Sequence, residues 1–114
     1  MLVNKIGIVG SRTFNDLVRL TKVMMQFTPK AIISGGARGA DYLAKIYAQN
    51  QNIKYIEFPA EWDKYGKSAG YRRNVDIVNA SDIIVAFWDG TSRGTKHIMD
   101  IAREYNKPLY IERF

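Results

Sequence analysis

The chain of 114 residues contains no cysteine and one histidine, His97. No apolar run approaches the roughly 20 residues needed to span a bilayer. Without cysteine there is no disulfide framework, thiolate metal site or cysteine nucleophile, and a lone imidazole excludes a multi-histidine metal centre. Neither a metal nor a cofactor is expected. The amino-terminal stretch has no apolar core of roughly 7–15 residues such as a secretory signal carries. A cytoplasmic protein without membrane contact is therefore expected. The length fits one domain over residues 1–114, since domains cluster at roughly 100–150 residues. With 17 Lys+Arg against 11 Asp+Glu, the net charge of +6 favours anionic partners without separating nucleic acid from nucleotide.

Short β-rich runs alternate with stretches of helical period, which predicts an α/β fold with a mainly parallel sheet. The strand candidates are Lys5 to Val9, Ala31 to Ser34, Ile53 to Phe58, Ile83 to Phe87 and Pro108 to Ile111, which together give five strands. Most read as continuously apolar, as strands covered on both faces should. Between them, Leu17, Leu20, Met24 and Phe27 share one helical face, and Leu43, Ile46 and Tyr47 another. Tyr71, Val75 and Val78 mark a third helix, opening at Arg72, and Ile98, Ile101, Ala102 and Tyr105 mark a fourth. Right-handed crossovers build this order into a three-layer, Rossmann-like single domain. The stretch Pro59 to Ala69 has no clear period and reads as a binding loop or lid.

Ligands of open parallel sheets bind beyond the carboxyl ends of the strands, so the residues following each strand are the candidate site. After the first come Gly10, Ser11, Arg12 and Thr13; after the second, which ends at Ser34, come Gly35, Gly36, Ala37, Arg38, Gly39, Ala40 and Asp41. After the fourth come Asp89, Gly90, Thr91, Ser92, Arg93, Gly94 and Thr95. All three segments are read as feeding directly into a helix, where free N–H groups and the positive dipole end suit a phosphate. Each also carries an arginine, a good partner for phosphate oxygens. Neither nucleotide fingerprint matches: Gly35 to Asp41 lacks the Lys and Ser/Thr of a P-loop, and its glycines are not spaced as G-x-G-x-x-G.

Arg72, Arg73 and Asn74 at the start of the third helix would place cations against the dipole unless an anion offsets them. Trp62 and Trp88 are candidate stacking platforms for a base, with burial under loops as the plain alternative. Asp41 and Asp89 could accept ribose hydroxyls or act in acid–base chemistry, against the alternatives of a helix-start residue and a turn former. His97, assigned to the first turn of the fourth helix and without metal partners, reads as a surface or packing residue.

Taken together and in order, Gly10-Ser11-Arg12, Ser34 to Asp41, Ala69 to Asn74 and Ala86 to Thr95 resemble the YspA-like branch of the SLOG superfamily, over nearly the whole chain. The resemblance implies a Rossmann-like fold. It also implies kinship with LOG phosphoribohydrolases, which release a base from a nucleoside monophosphate, and with DprA single-stranded DNA binders. Small members resembling this chain occur in bacteria and their phages. In the LOG enzymes an arginine at a helix start and a glutamate just after a Gly-Thr turn serve catalysis. Arg73, or its neighbour Arg72, matches the arginine and Gly94-Thr95 the turn, but the glutamate position falls on Ile98. An apolar side chain can neither shuttle a proton nor stabilise an oxocarbenium-like centre.

The expected function is therefore binding of a nucleotide-derived small molecule, for sensing or sequestration. A nucleotide hydrolase using Asp41, Asp89 or Arg73 is the alternative, and a DprA-like nucleic-acid binder the weaker third. The resemblance also implies association into homo-oligomers. The segments 10–16, 35–41, 60–74 and 88–97 hold eight basic and five acidic residues, half the chain's net excess. That focus favours a phosphate-bearing small molecule over a long nucleic-acid track.

Overall fold

The alternation of apolar runs and helical periods folds as five strands and five helices. The computed structural model describes residues 5–114. In chain order it comprises β1 (Lys5–Gly10), α1 (Leu17–Met24), β2 (Ala31–Ser34), α2 (Ala40–Asn50), β3 (Lys54–Glu57) and α3 (Trp62–Tyr65). A 3₁₀ turn (Gly66–Ser68) follows, then α4 (Ala69–Ala80), β4 (Ile83–Trp88), α5 (Arg93–Glu104) and β5 (Leu109–Arg113). The sheet order is β3-β2-β1-β4-β5, and every neighbouring pair is parallel rather than most of them.

Side-chain alternation assigns the two faces. Ile6, Ile8, Ile32, Val85 and Phe87 pack against α1 and α2 through Leu20, Met24, Ala44 and Tyr47. Val9, Ile33, Ile84 and Ala86 pack on the opposite face against Ile77 and Val78 of α4 and Ile98, Met99 and Ile101 of α5. Fully buried side chains such as Leu20 and Ile98 each contribute about 1.5–3 kcal/mol relative to exposure, so both helix layers are held firmly on the sheet. No helix among the described residues is long and apolar enough to cross a membrane.

Five local expectations are corrected. The span Pro59 to Ala69 is not irregular: it holds α3 and the 3₁₀ turn, elements too short to show a period. Because the 3₁₀ turn runs straight into α4, that helix opens at Ala69 rather than Arg72. The segment after β1 does not feed directly into a helix; Phe14, Asn15 and Asp16 intervene, Phe14 being buried and Asp16 capping α1 through Arg19 N–H. His97 is the fifth residue of α5, past its first turn, and Tyr71 is 58% exposed rather than part of the core.

Candidate functional site

Strand order reverses between β1 and β4, where the crossover from β1 runs to β2 and that from β4 to β5. The loops following β1, β2 and β4 meet at this carboxyl edge and interlock through Ser11. Its N–H donates to Phe87 O (2.9 Å), its carbonyl accepts from Ala40 N–H (3.3 Å), and its hydroxyl accepts from Asp89 N–H (3.2 Å) and lies 2.8 Å from Ser92 Oγ. Ser11 is thus a buried joint between loops, not a surface for ligand.

The loop after β4 is organised by its own aspartate. Asp89 Oδ1 accepts from Thr91 N–H (2.9 Å) and Ser92 N–H (2.8 Å), and Oδ2 lies 3.0 Å from Ser92 Oγ. Those N–H groups stabilise the carboxylate and hold its pKa well below the usual range. Asp89 is therefore committed to the turn, which corrects its candidacy as a proton-transfer group. Gly90, with φ +90 and Arg113 packed against it, and exposed Thr91 complete that turn and line neither edge cleft. Ser92 occupies the N-cap of α5, yet its hydroxyl faces Ser11 and Asp89 and caps nothing. The first turn of α5 therefore has neither a side-chain cap nor an acidic residue of its own, and the Asp89 carboxylate just before it is engaged at the Ser92 N–H.

That turn forms one wall of a cleft of about 340 Å³, lined by Gly10, Arg12, Asp41, Arg73, Asn74 and Ser92 to Thr95 among others. A neighbouring cleft of about 410 Å³ is lined by Gly35, Gly36, Arg38, Glu57 and Trp62, and shares Arg12, Ala37 and Arg73 with the first. None of Arg12, Arg38, Arg73 and Arg93 has a carboxylate within ion-pair distance among the described residues. Four guanidinium groups are thus brought to one edge without an ion pair, with Asp41 and Glu57 as the carboxylates on the same clefts.

Arg73 reaches across from α4 to the loop after β2. Its Nη1 donates to Gly35 O (2.9 Å) and its Nε to Asn74 Oδ1 (3.0 Å). A Cβ on Gly35 would overlap this guanidinium, so glycine is what admits it. Because α4 opens at Ala69, Arg73 stands beyond the first turn, where the dipole's influence has faded. The expected opposition between the basic pair and the helix end is therefore withdrawn; the unpaired charge of Arg73 remains. Arg72 lies 4.3 Å from the Tyr65 ring centre and lines neither of these clefts, but a third cavity of about 500 Å³ that Arg73 also borders. That removes Arg72 from the edge.

Asp41 is 6% exposed and borders the first cleft. Burial raises its pKa from 3.8 to about 6, against the lowering effects of Ala37 N–H (3.3 Å to Oδ2), Arg73, Gly35 N–H and the Ser34 hydroxyl. Ser34 Oγ is itself buried without a partner at hydrogen-bond geometry. Trp62, 57% exposed, stands on the rim of the second cleft, whereas Trp88 donates Nε1–H to Ser92 O (3.1 Å) and supports the loop. Glu57 was not anticipated: it ends β3 at the same edge, with Tyr55 OH donating to Oε1 (3.2 Å). Because the sequence pattern carries the third strand on to Phe58, Glu57 falls inside that strand rather than among the residues that follow it.

An open parallel sheet with basic loops gathered at its switch point defines a Rossmann-like α/β domain with its candidate site on the carboxyl edge. The chain belongs to the YspA, cpYpsA-related SLOG family, whose profile matches residues 5–65. It is similar to the gene 61 protein of Mycobacterium phage D29, with 30% identity over 118 residues, covering 94% of each chain. No solved structure matches it significantly. Membership associates the chain, at a general level, with binding or processing of nucleotide-related ligands.

Proposed function

We propose that the protein binds a nucleotide-derived small molecule, a nucleoside phosphate, an ADP-ribose-like compound or a cyclic nucleotide, in order to sense or sequester it. The observation that carries this reading is the uncapped first turn of α5, which itself carries Arg93, on one cleft with Arg12 and Arg73, none of the three in an ion pair. A phosphate there would accept backbone N–H groups and guanidinium donors together. Calorimetry against a panel of these ligands tests it. Arg73→Ala is expected to weaken the best binder about tenfold, the lower end for hydrogen bonds to charged groups, because Gly35 and Asn74 already occupy part of the guanidinium. Unchanged affinity would remove Arg73 from the site. If single-stranded DNA binds with the steep salt dependence of counterion release and no nucleotide binds, the reading fails.

Gly94 gives a second test. A Cβ there meets nothing within 4 Å, and the residue lines the cleft. Gly94→Ala is expected to raise stability by about 0.4–1 kcal/mol through the unfolded chain while weakening a ligand seated on the α5 turn. Thermal unfolding and calorimetry on one sample read both signs.

A hydrolase acting at an N-glycosidic bond is favoured by one observation: Asp41, on the cleft wall, titrates near neutrality, where a general acid or base works best. Release of free base from nucleoside monophosphates, followed by chromatography and abolished in Asp41→Asn, would establish it.

A further inference from the structure

We propose that His97, acting through Asn74, positions Arg73 in the cleft, and that it does so only while its imidazole is neutral. The functional consequence rests on Arg73 being an anion ligand, as proposed above; the positioning itself does not. Arginine has donors only, so Asn74 must present its oxygen to Arg73 Nε (3.0 Å). That orientation turns the Asn74 amide nitrogen towards His97 Nδ1, 3.0 Å away. Nδ1 must then accept, which places the ring proton on Nε2, a buried atom with no partner among the described residues. The chain His97–Asn74–Arg73–Gly35 therefore links α5 to the loop after β2 through one amide whose two ends are both assigned.

Protonation of His97 puts a second N–H on Nδ1, facing the amide donors of Asn74. The contact is restored only if the amide turns over, and its donors then face Arg73 Nε. Arg73 loses that anchor in the same movement. From α4 the ring meets the Asn74 amide and the Tyr71 ring, centroids 4.5 Å apart, with the charged Arg73 one residue beyond. On its own helix Asp100 favours the charged form, but burial outweighs it and holds His97 below its ordinary pKa. Near pH 7 the imidazole is neutral and the link is made.

His97 is the chain's only histidine, so its ring resonances are identified without assignment. In nitrogen-15 spectra of the full chain, the Nε2–H tautomer is expected at pH 7.5. Hydrogen exchange of Arg73 Nε–H, measured relative to the other arginines, is expected to be protected several-fold above the His97 titration and to lose that protection below it. His97→Ala should lose it at every pH. His97→Asn, whose amide oxygen replaces Nδ1 as a non-titrating acceptor, should keep it at every pH. An Nδ1–H tautomer, or Arg73 protection that is the same in all three proteins and at both ends of the titration, overturns the proposal.

Sulfate, whose charge is constant over pH 5–8, serves as the binding probe. It should bind several-fold more weakly below the His97 titration in the wild type, and this weakening should be absent in His97→Asn. Protonation of Asp41 would act in the opposite direction, since it removes a negative charge from the cleft. Arg73 protection that follows His97 without any sulfate binding upholds the positioning and counts against the anion site.

Discussion

Replacing Gly39 with valine is expected to cost about 3–5 kcal/mol of stability, the sum of a disfavoured backbone conformation and a clash that cannot relax. Gly39 stands at φ +77, ψ −128, a region closed to β-branched residues. Its missing side chain would overlap Ser11 O and the Arg12 backbone, the very groups against which the loop before α2 closes. Against a typical total of about 5–15 kcal/mol, such a loss leaves a marginal fold. Denaturant unfolding measures it directly. Gly66→Ala supplies the comparison: Gly66 also has positive φ, +58, but a Cβ there meets nothing within 4 Å. Its cost should be the conformational part alone, about 1–2 kcal/mol. Equal losses at the two positions would show that the loops are not interlocked as described.

Asp41→Asn is expected to stabilise the protein above pH 6, by up to about 3 kcal/mol, since one pKa unit corresponds to about 1.4 kcal/mol. The sign follows from the proton balance. The folded protein holds the Asp41 proton up to about pH 6 and the unfolded chain only to 3.8. Between those values the folded state binds more protons, so this residue makes stability fall as pH rises from about 4 to 6 and level off beyond. In Asp41→Asn that decline should disappear. Thermal unfolding of both proteins at pH 4, 6 and 8 reads it, and a wild type whose advantage grows with pH would contradict the assignment. A buried carboxylate that lowers stability at neutral pH invites a role in binding or chemistry, and the same variant tests base release.

The helix stripes and apolar strands were legible because period and burial coincide in them. Ile6, Ile8, Leu20, Met24 and Ile98 all lie where their spacing put them. The edge rule likewise anticipates the gathering of Arg12, Arg38 and Arg93, since a residue following a parallel strand is delivered to the same side of the sheet, whereas Arg73 reaches that edge from within α4. What escaped were the features that depend on partners distant in sequence. Asp89 and Asp41 are the same residue type beside similar glycine-rich turns, yet one is held charged by Thr91 and Ser92 N–H groups and the other is driven towards neutrality by burial. Arg72 and Arg73 are neighbours whose side chains diverge, because adjacent helix positions point about 100° apart. The Asn74–His97 contact spans 23 residues and two helices, and no local pattern announces it.

The sequence by itself determined the α/β class, the alternation that makes the sheet mainly parallel, the lack of thiol and multi-histidine chemistry, and the family to which the chain belongs. Each follows from composition, period or ordered motifs, which are properties of the chain before it folds. Tertiary structure alone decided which arginines stay unpaired, which aspartate shifts towards neutral pH, and that Ser92 leaves its own helix uncapped. Those are matters of solvent exclusion and of distances between loops, and they come into being only when the β1, β2 and β4 loops close on one another around Ser11.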